Sequence, residues 1–122
     1  AGFDFQVSSV YRSPKLQECL YDLSQHIQNA TGRNGLTQTK RSCHNNVSDG
    51  QPASLAIDLH LYGESEETTV DFYKQLRRKA TKAGLESGGN WKRSNPKWAK
   101  HDLGWDPGHV QVRRCSSKLK VQ

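Results

Sequence analysis

The sequence predicts an α+β fold: a small antiparallel sheet with helices packed on it. Three observations predict it. Apolar residues alternate, as in strands, over "FDFQVSSV", "SLAIDLHLYG" and "HVQV". They recur at helical spacing over two longer stretches between these runs. The resulting order is strand, helix, loop, strand, helix, loop, strand. A chain of 122 residues suits one compact domain, and no internal repeat or domain boundary interrupts it.

The first strand places Phe3, Phe5, Val7 and Ser9 on one face. A helix follows over residues 14–31, with Ser13 as N-cap and Pro14 in its first turn. Its stripe is Leu16, Leu20, Leu23 and Ile27, with Cys19 on the same side, and Gly32 ends it. Residues 32–53 are rich in Gly, Asn, Ser, Thr and Gln and read as a long loop, a kind usually functional or disordered. The second strand sets Leu55, Ile57, Leu59 and Leu61 against Ala56, Asp58 and His60, so Asp58 and His60 share a face.

Ser65 caps a second helix, and Glu66 and Glu67 suit its positive end. Val70, Tyr73, Leu76, Ala80 and Ala83 form its apolar stripe, and Arg77, Arg78, Lys79 and Lys82 lie toward its negative end. Gly84 stops it. A loop containing "GGNWKR" leads to the last strand, His109 to Arg113.

Composition narrows the classes. The hydrophobic fraction is 33% and the mean hydropathy −0.89, so the core is modest and the surface polar. No apolar run approaches the ~18 residues of a membrane span. Eighteen Lys and Arg against twelve Asp and Glu give +6, a balance that favours an anionic partner or simply solubility. No aromatic-basic RNA motif or zinc-finger spacing points to a specific nucleic acid. The chain begins at Ala1 without Met, which fits a mature secreted protein or a trimmed one. Cys19, Cys43 and Cys115 leave at least one cysteine unpaired within a monomer, the expected state. Two short sequons, at Asn29 and Asn46, are compatible with secretion.

Metal-type ligands concentrate outside the helices in three places: "SCH" at 42–44, "AIDLH" at 56–60 and "DPGH" at 106–109. A catalytic zinc takes about three ligands from His and carboxylate and keeps one position open. A nearby carboxylate can then handle the proton of the activated water. Each place taken singly is also what an ordinary solvated surface contains.

Taken in order, the motifs resemble the zinc peptidases of bacterial cell-wall peptides, the D-alanyl-D-alanine carboxypeptidases and L-alanyl-D-glutamate endopeptidases. The resemblance rests on "VYRSP" at 10–14, "SCH" at 42–44, "SLAIDL" at 54–59, "GLESGGNWK" at 84–92 and "WDPGHVQV" at 105–112. It implies the hedgehog-like fold of that family, a Zn2+ cofactor and peptidoglycan stem peptides as substrate. By position it makes His44, Asp58 and His109 the metal ligands, Asp106 the general base and Arg12 the group that stabilises the developing oxyanion. Arg12 and Ser42 become candidates for substrate contact, and Trp98, set among lysines, could line the groove. Hedgehog signalling domains resemble the same family, so a zinc-containing binding module without turnover is the alternative.

Two departures stand out. His44 and Asp58 are separated by more than the family pattern S-x-H-x-x-G-x-A-x-D allows, and "NNVSDGQ" reads as an inserted loop with Ser54 where Gly is usual. His60 is therefore the alternative ligand to His44, which keeps the S-x-H context. Gln111 stands where the family often has Glu. Which peptide bond is cut, the disulfide pairing and glycosylation stay open at this level.

Overall fold

The computed structural model describes residues 2–31, 42–49, 51–92 and 95–115. Among these, the strands are β1 (Gln6–Ser9), β2 (Val47–Ser48), β3 (Gln51–Pro52), β4 (Ala56–His60), β5 (Leu85–Ser87) and β6 (His109–Val112). The helices are α1 (Pro14–Thr31), α2 (Glu66–Lys82) and α3 (Pro96–Ala99), with 3₁₀ turns at Cys43–Asn45 and Gly88–Asn90. The chain packs as two compact units.

The first unit comprises Ala1–Val10 and Ala56–Arg113. It holds the expected antiparallel sheet, in the order β1-β4-β6-β5. Ser65 caps α2 by accepting from the Thr68 amide at 3.1 Å, and Gly84 closes it at a φ of 79°, which a glycine adopts without strain. The core is Leu61, Val70, Phe72, Tyr73 and Leu103, with Phe3, Leu59, Leu76 and Trp98 packed against it. This corrects the stripe expected for α2. Phe72 is buried and Ala83 is exposed, because Phe3 and Phe5 come back over the helix with ring centroids 5.4 and 6.0 Å from Phe72. The short elements β5 and α3 escaped the sequence reading. Three or four residues show no period, and α3 is marked only by the Asn95 cap and Pro96 behind it.

The second unit comprises Tyr11–Leu55 and Arg114–Gln122. Ser13 caps α1, accepting from the Leu16 amide at 3.1 Å, and the helix spans the expected residues. The expected stop at Gly32 lies outside the described residues. The buried face of α1 differs from the predicted one. Leu16 and Leu23 stay 49% and 48% exposed, whereas Gln17 and Ser24 are 0% and 1% exposed. An Arg12 Nη1 donating to Gln17 Oε1 at 2.7 Å makes that burial tolerable, since a satisfied amide loses little by leaving water. Within the expected loop, Cys43–Asn45 form a 3₁₀ turn and β2 pairs β3 through Val47↔Pro52 and Ser48↔Gln51. Cys43 and Cys115 form a disulfide, and Cys19 is free and exposed. Asn46 is buried and donates to the Ala53 carbonyl at 2.8 Å, so the second sequon is not presented to solvent.

Candidate metal centre

In the first unit, β4 and β6 pair so that Asp58 lies directly opposite His109. Cross-strand partners point to the same face, and their side chains meet: His109 Nδ1 is 2.9 Å from Asp58 Oδ1. The Asp106-Pro107-Gly108 turn delivers a second carboxylate, with Asp106 Oδ2 4.0 Å from the same nitrogen. That turn is fixed by backbone. The His109 amide donates to the Asp106 carbonyl at 3.1 Å, and the Leu59 amide donates to the Gly108 carbonyl at 2.9 Å. Gly88 is required beside it, because a Cβ there would collide with the Asp106 carbonyl oxygen.

His109 is buried, which by itself lowers its pKa. The Asp58 hydrogen bond and charge, then the Asp106 charge, outweigh burial and raise it above the ordinary histidine value. Its other ring nitrogen, Nε2, lies 2.7 Å from Gln111 Oε1, and Gln111 Nε2 donates to Glu86 Oε2. The Trp91 indole stands 5.0 Å from the His109 ring and donates from Nε1 to the same Glu86 oxygen at 3.4 Å. Glu86 was not singled out from sequence. It lies on a three-residue strand, and only the β5–β6 register, with Glu86 opposite Gln111, connects it to the site.

His60 takes a different place. Its Nδ1 is 3.4 Å from the Tyr73 hydroxyl and its ring is 4.7 Å from that of Tyr62. Trp98 packs edge-on to Tyr73 at 5.1 Å, with the Lys97 ammonium over its ring at 4.8 Å.

In the second unit, His44 is buried in the 3₁₀ turn. Ser42 caps this turn. Its hydroxyl accepts from the His44 amide at 3.3 Å, and its own amide donates to Asn45 Oδ1 at 2.7 Å. Arg12 is tied to the same turn: its amide donates to the His44 carbonyl at 2.9 Å, and the Asn45 side chain donates to the Arg12 carbonyl at 2.5 Å. The "YRS" segment is thus tied to the turn carrying "SCH" by one main-chain and one side-chain hydrogen bond. Within the first unit, Asp58 and His109 are the expected ligands that meet, and His60 is turned to Tyr73 instead.

The chain matches no protein-family model and no curated protein. Among solved structures, it is similar to the vancomycin resistance D,D-pentapeptidase VanY, as the E175A mutant from the VanB-type resistance cassette in complex with Zn(II). The identity is 19% and the TM-score 0.51, over 92% of this chain and 62% of that one. The fold is that of the VanY structure. A structure of VanYB in complex with D-alanine-D-alanine is similar at 18% identity and a TM-score of 0.49, over 93% of this chain and 61% of that one. The chain therefore spans about three-fifths of the length of the structures it matches.

The donor set that the sequence implies, His44, Asp58 and His109, fits zinc chemically. Two imidazoles and one carboxylate make up a common catalytic zinc site with one position open. Two donors each ~2.1 Å from a tetrahedral zinc stand about 3.4 Å apart. The Asp58 and His109 atoms are already 2.9 Å apart.

Proposed function

We propose that the chain is a zinc peptidase that hydrolyses peptide bonds in peptidoglycan stem peptides. The observation that carries the reading is the Asp58–His109 pair with Asp106 beside it, built on paired strands in a fold of the VanY type. In this reading residues 1–122 act as one peptidase-like domain, working as a monomer, and His44, Asp58 and His109 hold the ion. Zinc, when bound, supplies Lewis acidity and a water nucleophile at neutral pH.

The protein's own groups do the rest. Asp106 Oδ2 takes a proton from the attacking water and returns it to the nitrogen of the leaving amine. The proton's outward and return paths need one carboxylate outside the ligand set, and Asp106, half-exposed at the start of its turn, meets that need. The Arg12 guanidinium offers a fixed charge to the oxygen on which negative charge develops. Gln17, bound to Arg12 Nη1, limits how that guanidinium can turn. Ser42 and Trp98 are substrate-contact candidates in the same reading. A net charge of +6 favours approach to an anionic cell wall, and the Cys43–Cys115 disulfide suits an oxidising, extracellular compartment.

Zinc content and cleavage of purified stem peptides, followed by mass spectrometry, test the proposal together. We expect one zinc per chain, lost in His109→Ala, and cleavage that stops with chelator and returns with zinc. Asp106→Ala should keep its zinc while the rate falls about 10²- to 10⁴-fold. Full activity in Asp106→Ala would remove the base assignment. Stoichiometric zinc without cleavage of any stem peptide would replace the peptidase by the hedgehog-like binding module.

A further inference from the structure

Glu86, Gln111 and His109 form a hydrogen-bonded row along one face of the sheet, and its chemistry has a direction. Glu86 and Gln111 are cross-strand partners, and Gln111 and His109 are two residues apart on β6, so all three side chains share that face. A carboxylate only accepts hydrogen bonds. Glu86 Oε2, which already accepts from the Trp91 indole, must therefore face the NH₂ end of Gln111, as it does. This turns the carboxamide oxygen of Gln111 onto His109 Nε2 at 2.7 Å. An amide oxygen also only accepts, so the hydrogen in that contact belongs to Nε2.

From this row we infer that Gln111, aligned by Glu86, is a positioning residue for the metal: it fixes the His109 ring with Nε2–H toward Gln111 and leaves Nδ1, on the Asp58 side, as the donor nitrogen. Metal-bound histidines usually give their second N–H to a carboxylate or carbonyl, which orients the ring and raises its donor strength. Here a neutral amide receives that N–H and the carboxylate stands one step farther out. The amide keeps the orientation without placing a second negative charge against the ring, next to a site that already has Asp58 and Asp106. The Trp91 ring against His109 limits the remaining freedom of the imidazole.

The inference rests on His109 holding zinc, as proposed above, and the test separates the two ideas. Zinc affinity is measured at one fixed pH by competition with a chromophoric chelator, for the wild type, Gln111→Met and Glu86→Ala. Gln111→Met keeps the length of the side chain but removes the acceptor, and should weaken zinc binding about 10- to 100-fold. Glu86→Ala leaves the acceptor but releases its alignment, and should weaken binding by a smaller factor. Nitrogen-15 NMR of the zinc-loaded wild type should show a protonated Nε2 on His109 and a metal-shifted Nδ1. A wild type that binds no zinc overturns the proposed function. A wild type that binds zinc through Nε2, or a Gln111→Met variant within threefold of it, overturns the role of Gln111. Should Gln111→Met fail to fold, the wild-type spectrum decides.

Discussion

Tyr73 sits at the meeting point of core and site. Burial first, then the charge of Asp106, with Tyr62 and Asp58 after it, pushes its pKa up to about 12 from the ordinary 10.0. A raised value means that the folded protein holds this proton more tightly than the unfolded chain does. The resulting stabilisation is complete below pH 10, where both states are protonated, and is lost as the pH rises through 12. Urea midpoints measured from pH 9 to pH 12 should fall more steeply for the wild type than for Tyr73→Phe; parallel curves would contradict the assignment. At this scale the sequence was partly legible. Strand alternation and a Pro-Gly turn put Asp58, His109 and Asp106 in view and the family resemblance alone gave them roles; the structure brings the three side chains close together. Glu86 could not be picked out, because its role depends on which residue lies opposite it in a neighbouring strand, a register that local sequence does not encode. The nitrogen beside the Tyr73 hydroxyl belongs to His60, and strand alternation could place that residue beside Asp58 without saying which group its nitrogen would meet.

Among elements, the long regular ones follow from periodicity and caps: α1 and α2 begin at the serines that cap them and run as expected. What periodicity misjudged is which face each helix buries. On α1 the Arg12–Gln17 contact draws a polar position inward, and on α2 the returning Phe3 and Phe5 cover Phe72. Both are contacts made by chain outside the helix. The turn at Asp106 is an element of a different sort, shaped by close approach. The Gly88–Asn90 turn abuts it, with the Asp106 amide donating to the Gly88 carbonyl at 3.4 Å. In Gly88→Ala the added methyl meets the Asp106 carbonyl oxygen and comes within 3.2 Å of the His109 Cβ, so backbone must move. We expect a destabilisation of about 1–3 kcal/mol by thermal or chemical unfolding. If the chain is the peptidase proposed above, a displacement of Asp106 by about 1 Å would also lower turnover by about 10²-fold. Unchanged stability in Gly88→Ala would mean that the turn yields without cost.

For the molecule as a whole, the disulfide matters more than its surface pattern suggests. Cys43 and Cys115 are separated by 72 residues, so the bond closes a loop of more than half the chain. Loop-closure entropy then makes the unfolded state less favourable by about 4 kcal/mol. For a domain whose net stability is ordinarily about 5–15 kcal/mol, that is a large share. The chain's low hydrophobic content and the half-exposed leucines on α1 leave less burial to compensate for its loss. Replacing both cysteines, as Cys43→Ser with Cys115→Ser, should lower the unfolding free energy by about 4 kcal/mol in denaturant titrations. Cys19→Ser, at an exposed thiol outside any bridge, should change it by no more than about 0.5 kcal/mol. Equal effects from the two substitutions would place the stability of this fold elsewhere than in its cross-link. The contrast follows from bonding: all three cysteines look alike in the sequence, and only the folded path of the chain selects the pair that can meet.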